Sequence, residues 1–444
     1  MNSPAPLYSY SFAANLNWSS LNPSGKEILE YLCRVCETYH LDENIQFNTK
    51  VTELRWSEKN KEWETRIAED KPDGRLHEST IRSRVAISAV GKFNEPKTSV
   101  LEHIPGIHTF KGRILHTARW DESVSLEGRN ILVIGSGCSA AQLVPEVLRD
   151  SMKAKSVTQI MRSPPWVAPR ALSEEGILAE KYILCVLRHV PGLARIVRLI
   201  MLAVLETDYF RFYKASAVCR LFRSMKKKSL LEYMRRTVPD QYHGALTPHY
   251  EMGCKRLVQD SGWFQSLRDS KINLTTSKIK RVEPYAVVLG CKKDDENEDS
   301  RVATDIIILA TGYETTNLLE SISVFGRNGV ELQDAWAQRG GPHAYLGVSM
   351  DKFPNLFFVF GPNSSVGHTT VLIGIENSIS YIVSLIKHIV NGQVRALEVK
   401  EEACRRWTSE IQAASRSSVW MKGGCQNWYI DGGRWNSMIY PFSQ

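Results

Sequence analysis

The sequence predicts an α/β fold with two domains and a helical insertion. Three features predict it: a length of 444 residues, an alternation of strand-like and amphipathic helical segments, and a strand that runs directly into a glycine-rich turn. Because single domains usually have on the order of 100 to 200 residues, this length suits two domains with a cleft between them. We place a first domain at 1–95, a linker at 96–127, a second domain at 128–312, and a return to the first domain at 313–444.

The first domain begins with an amphipathic helix and continues with strands. Ile28, Leu29, Leu32 and Val35 form one apolar stripe, which is the spacing of a helix that packs on a core. The predicted elements are a helix at Lys26–His40 and strands at Ile45–Thr49, Glu62–Ile67 and Arg84–Val90.

The second domain alternates strands with helices, a rhythm typical of a parallel sheet. Pro164, Pro165 and Pro169 precede a long helical stretch from about Glu180 to Thr237, which predicts a helical insertion at about 165–240. The predicted strands are Asn130–Ile134, Val157–Met161, Ile272–Leu274, Ala286–Leu289 and Asp305–Ala310, followed by a last strand at Phe353–Phe360 and a helix at Val371–Val390.

Composition and charge exclude several classes of protein. With 43% hydrophobic and 23% charged residues, the chain is typical of a folded globular protein. A net charge of +8 without a clustered basic arm does not indicate a nucleic-acid partner. Leu193–Leu205 is the most membrane-like stretch, but Arg195 and Arg198 interrupt it and it falls short of the roughly 20 residues that span a bilayer. We interpret it as a buried or interfacial helix and expect no membrane partner.

The cysteines do not form a disulfide or metal pattern. They number nine, lie scattered along the chain and follow no secretory signal, so we expect a reducing, cytoplasmic compartment and no disulfide framework. Cys33 and Cys36 form a CxxC inside the first predicted helix. Because no partner pair with metal spacing follows, no metal site is predicted.

The glycine-rich turn follows the strand Asn130–Ile134 and precedes a helix. Its spacing is GxGxxA, in which the first glycine permits the turn, the second lets a pyrophosphate approach the backbone, and the alanine lets the helix pack closely on the strand. The phosphates would lie at the positive end of the helix. The sequence therefore predicts a dinucleotide site at Gly135, Ser136, Gly137, Ser139 and Ala140.

The end of the next strand selects the dinucleotide. An NAD site would place an acidic residue there to bind the ribose hydroxyls, but this chain has Arg162 and Ser163. A cation at that point matches the 2′-phosphate of NADP. Considered alone, Arg162 is explained equally well as a surface arginine.

The linker carries the most specific signal in the chain. Its fixed positions have the pattern FxGxxxHTxxWD, with Phe110, Gly112, His116, Trp120 and Asp121 at set offsets. This pattern resembles the signature of type I Baeyer–Villiger monooxygenases, and the related flavin-containing monooxygenases carry a similar segment. The resemblance implies that His116 is an interdomain hinge and hydrogen-bond post and not a proton carrier.

The resemblance extends across nearly the whole chain, in the order of the superfamily's landmarks. It implies two Rossmann-like domains, one for FAD and one for NADP, in a flavoprotein with a helical insertion. The landmarks are Leu7–Phe12 (LYSYSF), the helix with Glu27 and Tyr31, Ala89–Pro96 (AVGKFNEP), Gly253–Arg256 (GCKR), Ala310–Tyr313 (ATGY) and Phe353–Asn363 (FPNLFFVFGPN).

The resemblance also implies the cofactors FAD and NADP(H) and roles for single residues. Arg162 and Lys255 resemble the two cations that hold the NADP 2′-phosphate. Arg256 resembles the catalytic arginine beside the flavin, where a fixed guanidinium stabilises a peroxide anion formed at flavin C4a. The remaining contacts that the resemblance implies are Gly361 and Asn363 near the flavin ring and Val51 on the FAD adenine.

The implied reaction is the insertion of oxygen next to a ketone carbonyl, with dioxygen and a small-molecule ketone as substrates. Leu, Val, Met, Tyr and Phe are abundant in the helical insertion, which indicates a lipophilic biosynthetic substrate, and core packing explains them equally well. One alternative is oxygenation of an amine or sulfide. Trp120 and Asp121 favour the ketone as substrate over this alternative.

A second alternative is an inactive NADP-binding pseudoenzyme. The superfamily normally opens with a strand, a GxGxxG turn and a helix that bind FAD, and none of these precedes Leu7. The expectation is therefore an FAD domain that is incomplete at its amino end.

Overall fold

The computed structural model describes residues 4–71, 74–149, 152–169, 176–190, 192–290, 299–316, 318–432 and 434–443. In chain order, the strands β1 to β16 are Thr49–Ser57, Glu62–Asp70, Leu76–Ser83, Ala86–Ser88, Arg113–His116, Asn130–Ile134, Ser156–Ile160, Val167–Ala168, Val258–Gln259, Ile272–Thr275, Ile279–Glu283, Ala286–Leu289, Ser300–Ala303, Ile306–Leu309, Ser323–Phe325 and Leu356–Phe358. The helices α1 to α11 are Gly25–Thr38, Cys138–Leu148, Gly176–His189, Leu193–Asp208, Ala217–Thr237, His243–Leu246, Trp263–Ser266, Leu332–Gln338, Val371–Val390, Glu401–Arg416 and Val419–Lys422.

A five-stranded parallel sheet organises the second domain. Its strand order is β10-β7-β6-β14-β5, and every neighbouring pair runs parallel. The inner strands β6, β7 and β14 are almost wholly buried, as expected for strands covered on both faces. The predicted parallel sheet is therefore confirmed. Its edge strand β5 comes from within the predicted linker, so part of that linker belongs to the sheet.

Small and branched side chains pack helix α2 tightly against this sheet. Val133 on β6, Val157 on β7 and Val144 on α2 are fully buried, together with Trp263. Each such side chain contributes about 1.5 to 3 kcal/mol relative to full exposure. The Trp263 indole N–H donates a 2.8 Å hydrogen bond to Oε1 of Gln159, so the one polar atom of this ring is satisfied inside the core.

The first helix forms where it is predicted, but Leu29 and Leu32 of the predicted apolar stripe are 60% and 39% exposed, so the stripe does not pack on a core along its whole length. Ser24 caps α1, and its hydroxyl accepts a hydrogen bond from the backbone N–H of Glu27, which is the usual arrangement at a helix N-terminus. Tyr31 and Val35 are buried on one side of the helix. The helix predicted at Lys26–His40 is confirmed within one or two residues at each end.

The strand predicted at Ile45–Thr49 is wrong. The side chains of Ile45 and Phe47 are 47% and 62% exposed, and Asn48 has a left-handed φ of 51°. The strand β1 begins at Thr49, where the carbonyl of Asn48 accepts a hydrogen bond from Asp70 N–H and starts the pairing with β2. Alternation of apolar residues alone did not distinguish this exposed turn from the strand that follows it.

The strands β1, β2 and β3 form an antiparallel meander, and β15 pairs in parallel with the free edge of β1. Beside it, β4 and β16 form a two-stranded parallel sheet. The strands predicted at Arg84–Val90 and Phe353–Phe360 are therefore present but shorter than predicted, because three residues of each form the ladder.

The helical insertion consists of α3, α4 and α5. Gly192, with φ of 77°, precedes α4, and a single wider π-turn at Tyr209–Tyr213 separates α4 from α5. The long helical stretch predicted from about Glu180 to Thr237 is therefore divided at these points. Among the described residues, none of the helices combines the length and the apolar character that crossing a bilayer requires.

Candidate functional site

The glycine turn after β6 lies close to the end of β14. Gly135 has φ of 134°, and a Cβ atom there would lie 2.4 Å from the carbonyl oxygen of Ala310. Its N–H donates to the Ile160 carbonyl at 3.0 Å, and its own carbonyl accepts from Nε2 of Gln159 at 2.8 Å. These contacts fix the turn at the carboxyl end of the sheet, so glycine is required at this position.

The start of α2 is open towards solvent. Gly137 occupies the N-cap position, no side chain caps the helix, and a Cβ atom at Gly137 would meet nothing within 4 Å. The first N–H groups of an α-helix have no partner within the helix and can therefore donate hydrogen bonds to an anion. Ser139 is exposed on this first turn, and Ala140 is fully buried against the core.

Two cations lie beside this helix start, and no carboxylate of the described residues pairs with either. Nζ of Lys255 donates a 2.7 Å hydrogen bond to Oγ of Ser163, and Oγ of Ser136 donates to the Ser163 carbonyl at 3.0 Å. Burial lowers the pKa of Lys255, and the charge of Arg162 lowers it further. Within the described ranges, the partners of Lys255 are the Ser163 hydroxyl and the Tyr250 ring, and neither is a carboxylate. The structure thus brings together the predicted turn and both predicted cations.

Arg256 adjoins the same helix start from the other side. Its guanidinium is half-buried, and although burial acts to lower its pKa, the nearby phenols of Tyr429 and Tyr213 and the thiol of Cys138 raise it overall. Burial also raises the pKa of Tyr429 to about 12. Arg256 is therefore a permanent positive charge among neutral side chains at the site.

Two aromatic pairs that the sequence did not indicate lie on one side of the site, because Tyr213 and Tyr429 are both neighbours of Arg256. Tyr213 stacks on Trp420 with ring centroids 5.0 Å apart, and its hydroxyl donates to the Gly367 carbonyl at 2.9 Å. Trp428 lies 4.1 Å from Tyr429, centroid to centroid. The π-turn and the carboxyl-terminal segment bring these rings together, and neither carries a pattern that indicates such a contact.

A disulfide bond joins the segment that carries Lys255 and Arg256 to the carboxyl-terminal segment. Cys254 and Cys425 are bonded across a sequence separation of 171 residues, with Cα atoms 6.2 Å apart. A disulfide was not expected from the scattered cysteines, because pairing across such a separation depends on the fold and not on local spacing. Six other cysteines in the described ranges are not part of a disulfide bond.

His116 is the last residue of β5 and pairs with Leu309 at the end of β14. Its Nδ1 accepts a 3.0 Å hydrogen bond from Ala118 N–H, and its Nε2 lies 3.3 Å from Oγ1 of Thr311. Burial lowers the pKa of His116, partly offset by a backbone contact with Gly312. Both ring nitrogens of His116 are therefore engaged in contacts within the protein, and its role as a hinge stays a prediction.

The other residues of the linker pattern hold β5 against its neighbours. A Cβ atom at Gly112 would lie 2.1 Å from the Asp305 carbonyl oxygen and 2.6 Å from the Phe110 ring. Trp120 packs against the main core. Asp121 accepts hydrogen bonds from the backbone N–H and the hydroxyl of Ser123, which lower its pKa. The spacing therefore corresponds to a set of structural contacts.

Lys92 is a buried cation that the sequence reasoning missed. Its side chain is 2% exposed, and Nζ lies 3.5 Å and 3.4 Å from the hydroxyls of Ser364 and Ser365 and 4.6 Å from the centroid of the Phe360 ring. Burial lowers the pKa of Lys92 to about 7. Lys92 falls within the AVGKFNEP landmark, and a lysine directly after a predicted buried strand was the available signal.

The three remaining residues with a predicted FAD contact lie near the sheet of β1 to β3 and the pair of β4 and β16. A Cβ atom at Gly361 would lie 2.4 Å from the Gly347 carbonyl oxygen, so close packing requires glycine there. The buried Asn363 donates from Nδ2 to the Asn436 carbonyl at 2.7 Å, which positions the carboxyl-terminal segment. Val51 lies within β1 opposite Ile67, not after a strand as predicted.

One hollow of about 290 Å³ lies on the helical insertion. Phe212 of the π-turn, Phe222 and Met225 of α5, and Lys226 contribute to its lining. This hollow opens on an exposed part of α5.

Comparisons with known proteins agree with this geometry. The Flavin-binding monooxygenase-like family matches residues 18–198. The chain is 30% identical over 432 residues to the FAD-binding monooxygenase ktnD of Aspergillus niger, which covers 95% of this chain and 67% of that protein. It is 30% identical over 428 residues to a Baeyer–Villiger monooxygenase of Pseudomonas aeruginosa, which covers 96% of this chain and 75% of that protein.

A solved structure shows the same fold at lower identity. Cyclohexanone monooxygenase from Rhodococcus sp. Phi1, bound to NADP⁺, superposes with a TM-score of 0.77 at 22% identity and covers 100% of this chain and 85% of that one. This likeness confirms the predicted α/β fold with two dinucleotide-binding domains.

Proposed function

This chain belongs to the type I Baeyer–Villiger and flavin-containing monooxygenase superfamily, and from that premise we propose that it uses FAD, NADPH and dioxygen to insert an oxygen atom next to the carbonyl of a lipophilic ketone. The observation that carries the proposal is the half-buried Arg256, whose neighbours are phenols and a thiol. It lies beside an uncapped helix start and two further cations. Such a site suits two anionic cofactors and a reaction in which negative charge develops.

The residues around α2 fit NADP(H). Gly137 leaves room for a pyrophosphate at the helix N-terminus. Lys255 and Arg162 repel each other, and the repulsion is one reason for the lowered pKa of Lys255. A bound 2′-phosphate would remove this repulsion and give both cations a partner, with Ser163 fixing the lysine through its hydroxyl.

The residues beside β4 and β16 fit an anionic group such as FAD. Both strands run parallel, and ligands of α/β sheets bind at the carboxyl ends of parallel strands. Lys92 follows the end of β4 by four residues, and in the described ranges no carboxylate pairs with it. A buried ammonium without a counter-charge is costly, and a flavin or its phosphates would supply that charge.

The chemistry that FAD supplies when bound and reduced by NADPH is the activation of dioxygen. Arg256 then acts as a fixed guanidinium that stabilises the negative charge developing on the ketone oxygen. Tyr213 and Trp420 exclude water from this charge, which strengthens its effect because the local dielectric is low. The same aromatic rings give an apolar surface for a lipophilic ketone.

Substitution of Arg256 tests this proposal. Arg256→Ala is expected to bind NADPH normally but to lose ester formation by roughly 100-fold or more, the usual effect of removing one charge-stabilising donor. NADPH binding is followed by fluorescence titration, and ester formation by mass spectrometry of the products of a ketone panel. Arg220→Ala, at an exposed arginine on α5, is the matched control. Ester formation by Arg256→Ala at the unaltered rate would overturn the proposed role.

A further inference from the structure

Helix α4 exposes apolar residues to solvent and turns polar residues towards the protein. Two of its charged residues turn towards the protein: Arg198 donates to the Ser9 carbonyl and pairs with Glu376, and Glu206 pairs with His368 at 3.0 Å. Its apolar residues turn towards solvent. Surface helices of globular proteins show the opposite arrangement, so burial within this chain does not explain the apolar face.

The exposed face of α4 is continuous along the helix. Ile196, Leu199, Ile200 and Val204 are 55%, 60%, 58% and 57% exposed, and their spacing of three and four residues places them on one side. Ala203 lies on the same side, and Arg195 and Thr207 lie near its two ends. None of the described residues on this face is acidic. We call these residues the α4 face.

The positive charge of the protein is concentrated in the same insertion. Residues 180–237 contain 13 Lys and Arg and 4 Asp and Glu, a net charge of +9, whereas the whole chain carries +8. Three of the four acids turn inward: Glu180 accepts from Leu21 N–H, Glu206 pairs with His368, and burial raises the pKa of Asp208. Arg198 and Arg223 also turn inward, but most of the other Lys and Arg of the insertion are exposed and outnumber the exposed Glu232. The outer surface of the insertion is therefore apolar and basic.

We propose that the α4 face docks the protein on the surface of an anionic lipid membrane. An apolar helix face with flanking Lys and Arg lies in the plane of a bilayer, with its side chains at the boundary of headgroups and acyl chains. The basic residues of the insertion then contact lipid phosphates. Each such residue near the surface contributes about 1 kcal/mol of attraction.

Charge favours a membrane over a second copy of this chain. Two copies that met through the α4 face would bring two insertions of net charge +9 together, and like charges oppose such a contact. An anionic lipid surface supplies the opposite charge over a wide area. The helix would lie on the bilayer and not cross it, because its 16 residues are about 24 Å long, shorter than a hydrocarbon core of about 30 Å.

Sedimentation with lipid vesicles tests the proposal. The protein is mixed with vesicles of phosphatidylcholine alone or of phosphatidylcholine with phosphatidylserine, and the bound fraction is measured in the pellet. Leu199→Glu is compared with Leu29→Glu, because both leucines lie in helices and both are 60% exposed. Circular dichroism and NADPH titration establish that each variant is folded.

The expected result is binding to the vesicles that contain phosphatidylserine, with weaker binding as salt is added. Leu199→Glu should reduce this binding tenfold or more, since burying one leucine contributes about 1.5 to 3 kcal/mol, and Leu29→Glu should leave it unchanged. Absence of binding, or equal binding by the two variants, would overturn the proposal. So would a dimer in analytical ultracentrifugation that Leu199→Glu dissociates without any vesicle binding.

Discussion

At the scale of single residues, Lys92 makes protein stability depend on pH. In the unfolded chain a lysine keeps its proton up to a pKa of 10.5, whereas burial lowers the pKa of the folded Lys92 to about 7. Between these two pKa values the unfolded state binds more protons than the folded state. The free energy of unfolding therefore increases steadily as the pH rises from about 7 to about 10.5. Lys92→Met should remove this dependence and raise stability at about pH 7 by on the order of 4 kcal/mol.

Urea denaturation of both proteins, at about pH 7 and at about pH 9.5, measures this effect. Because all other titrating groups are shared, the difference between the two proteins isolates Lys92. The difference should shrink as pH rises. A difference that stays constant with pH would show that Lys92 has an ordinary pKa in the folded protein.

Lys255 is expected to discriminate NADPH from NADH. Lys255→Ala should raise the dissociation constant of NADPH about tenfold, the effect of one charge-assisted hydrogen bond, and leave that of NADH unchanged. Fluorescence titration with each nucleotide measures both constants, and Lys228→Ala, at an exposed lysine on α5, serves as the control. Equal weakening of both nucleotides would show that Lys255 supports the fold and not the 2′-phosphate.

Sequence reasoning found the residues that belong to short motifs. Gly135, Arg162 and Lys255 were predictable because a fixed spacing or a landmark of the superfamily marks each of them. The structure places them around one helix start. Lys92 and Tyr213 were missed. Their significance depends on burial and on neighbours far away in sequence, and no local pattern reports either.

At the scale of elements, the two glycines of the turn between β6 and α2 have different roles. Gly135 is required by the fold, and Gly137 leaves room for the dinucleotide. Gly135→Ala should destabilise the protein by more than 1 kcal/mol, because φ is 134° and the new Cβ would lie 2.4 Å from the Ala310 oxygen. Gly137→Ala has space and an ordinary φ. It should keep its melting temperature and weaken NADPH binding tenfold or more, because the methyl group occupies the pyrophosphate position.

Differential scanning calorimetry and NADPH titration of the two variants test this pair. If Gly137→Ala bound NADPH with unaltered affinity, the dinucleotide would not lie on the α2 N-terminus. A melting temperature of Gly135→Ala equal to that of the unaltered protein would contradict the tight turn.

How well the sequence predicts an element depends on whether local pattern or tertiary structure determines it. The buried strands β6, β7 and β14 carry continuous apolar runs and were found nearly to the residue. The start of β1 is not predicted correctly, because the apolar residues Ile45 and Phe47 alternate with polar ones as in a strand although both are exposed. The edge strand β5 was placed in a linker because its pairing with β14 is set by tertiary structure.

At the scale of the whole molecule, the Cys254–Cys425 disulfide restrains the chain over 171 residues. Dithiothreitol, which donates two electrons and two protons to the bond, should lower the free energy of unfolding by roughly 2 to 5 kcal/mol. Cys425→Ser should have the same effect in the absence of reductant. Denaturant unfolding with and without dithiothreitol measures this, and the variant should no longer respond to the reagent. A response in the variant would assign the effect to another cysteine.

The two-domain organisation was predictable from the order of landmarks along the sequence. Residues before and after the second domain assemble into the smaller sheets: β4 pairs with β16, and β1 pairs with β15. Which surfaces remain exposed could not be predicted, because an apolar helix such as α4 has the same sequence pattern whether its face meets a core or solvent.

The measurement that tests the central claim most directly is the fate of labelled dioxygen. The protein is incubated with FAD, NADPH, a panel of lipophilic ketones and ¹⁸O₂, and the products are identified by mass spectrometry. The account predicts NADPH-dependent formation of an ester or lactone with one ¹⁸O atom per molecule, and its loss in Arg256→Ala. No labelled ester from any ketone, or label recovered only as amine or sulfide oxides, would contradict it.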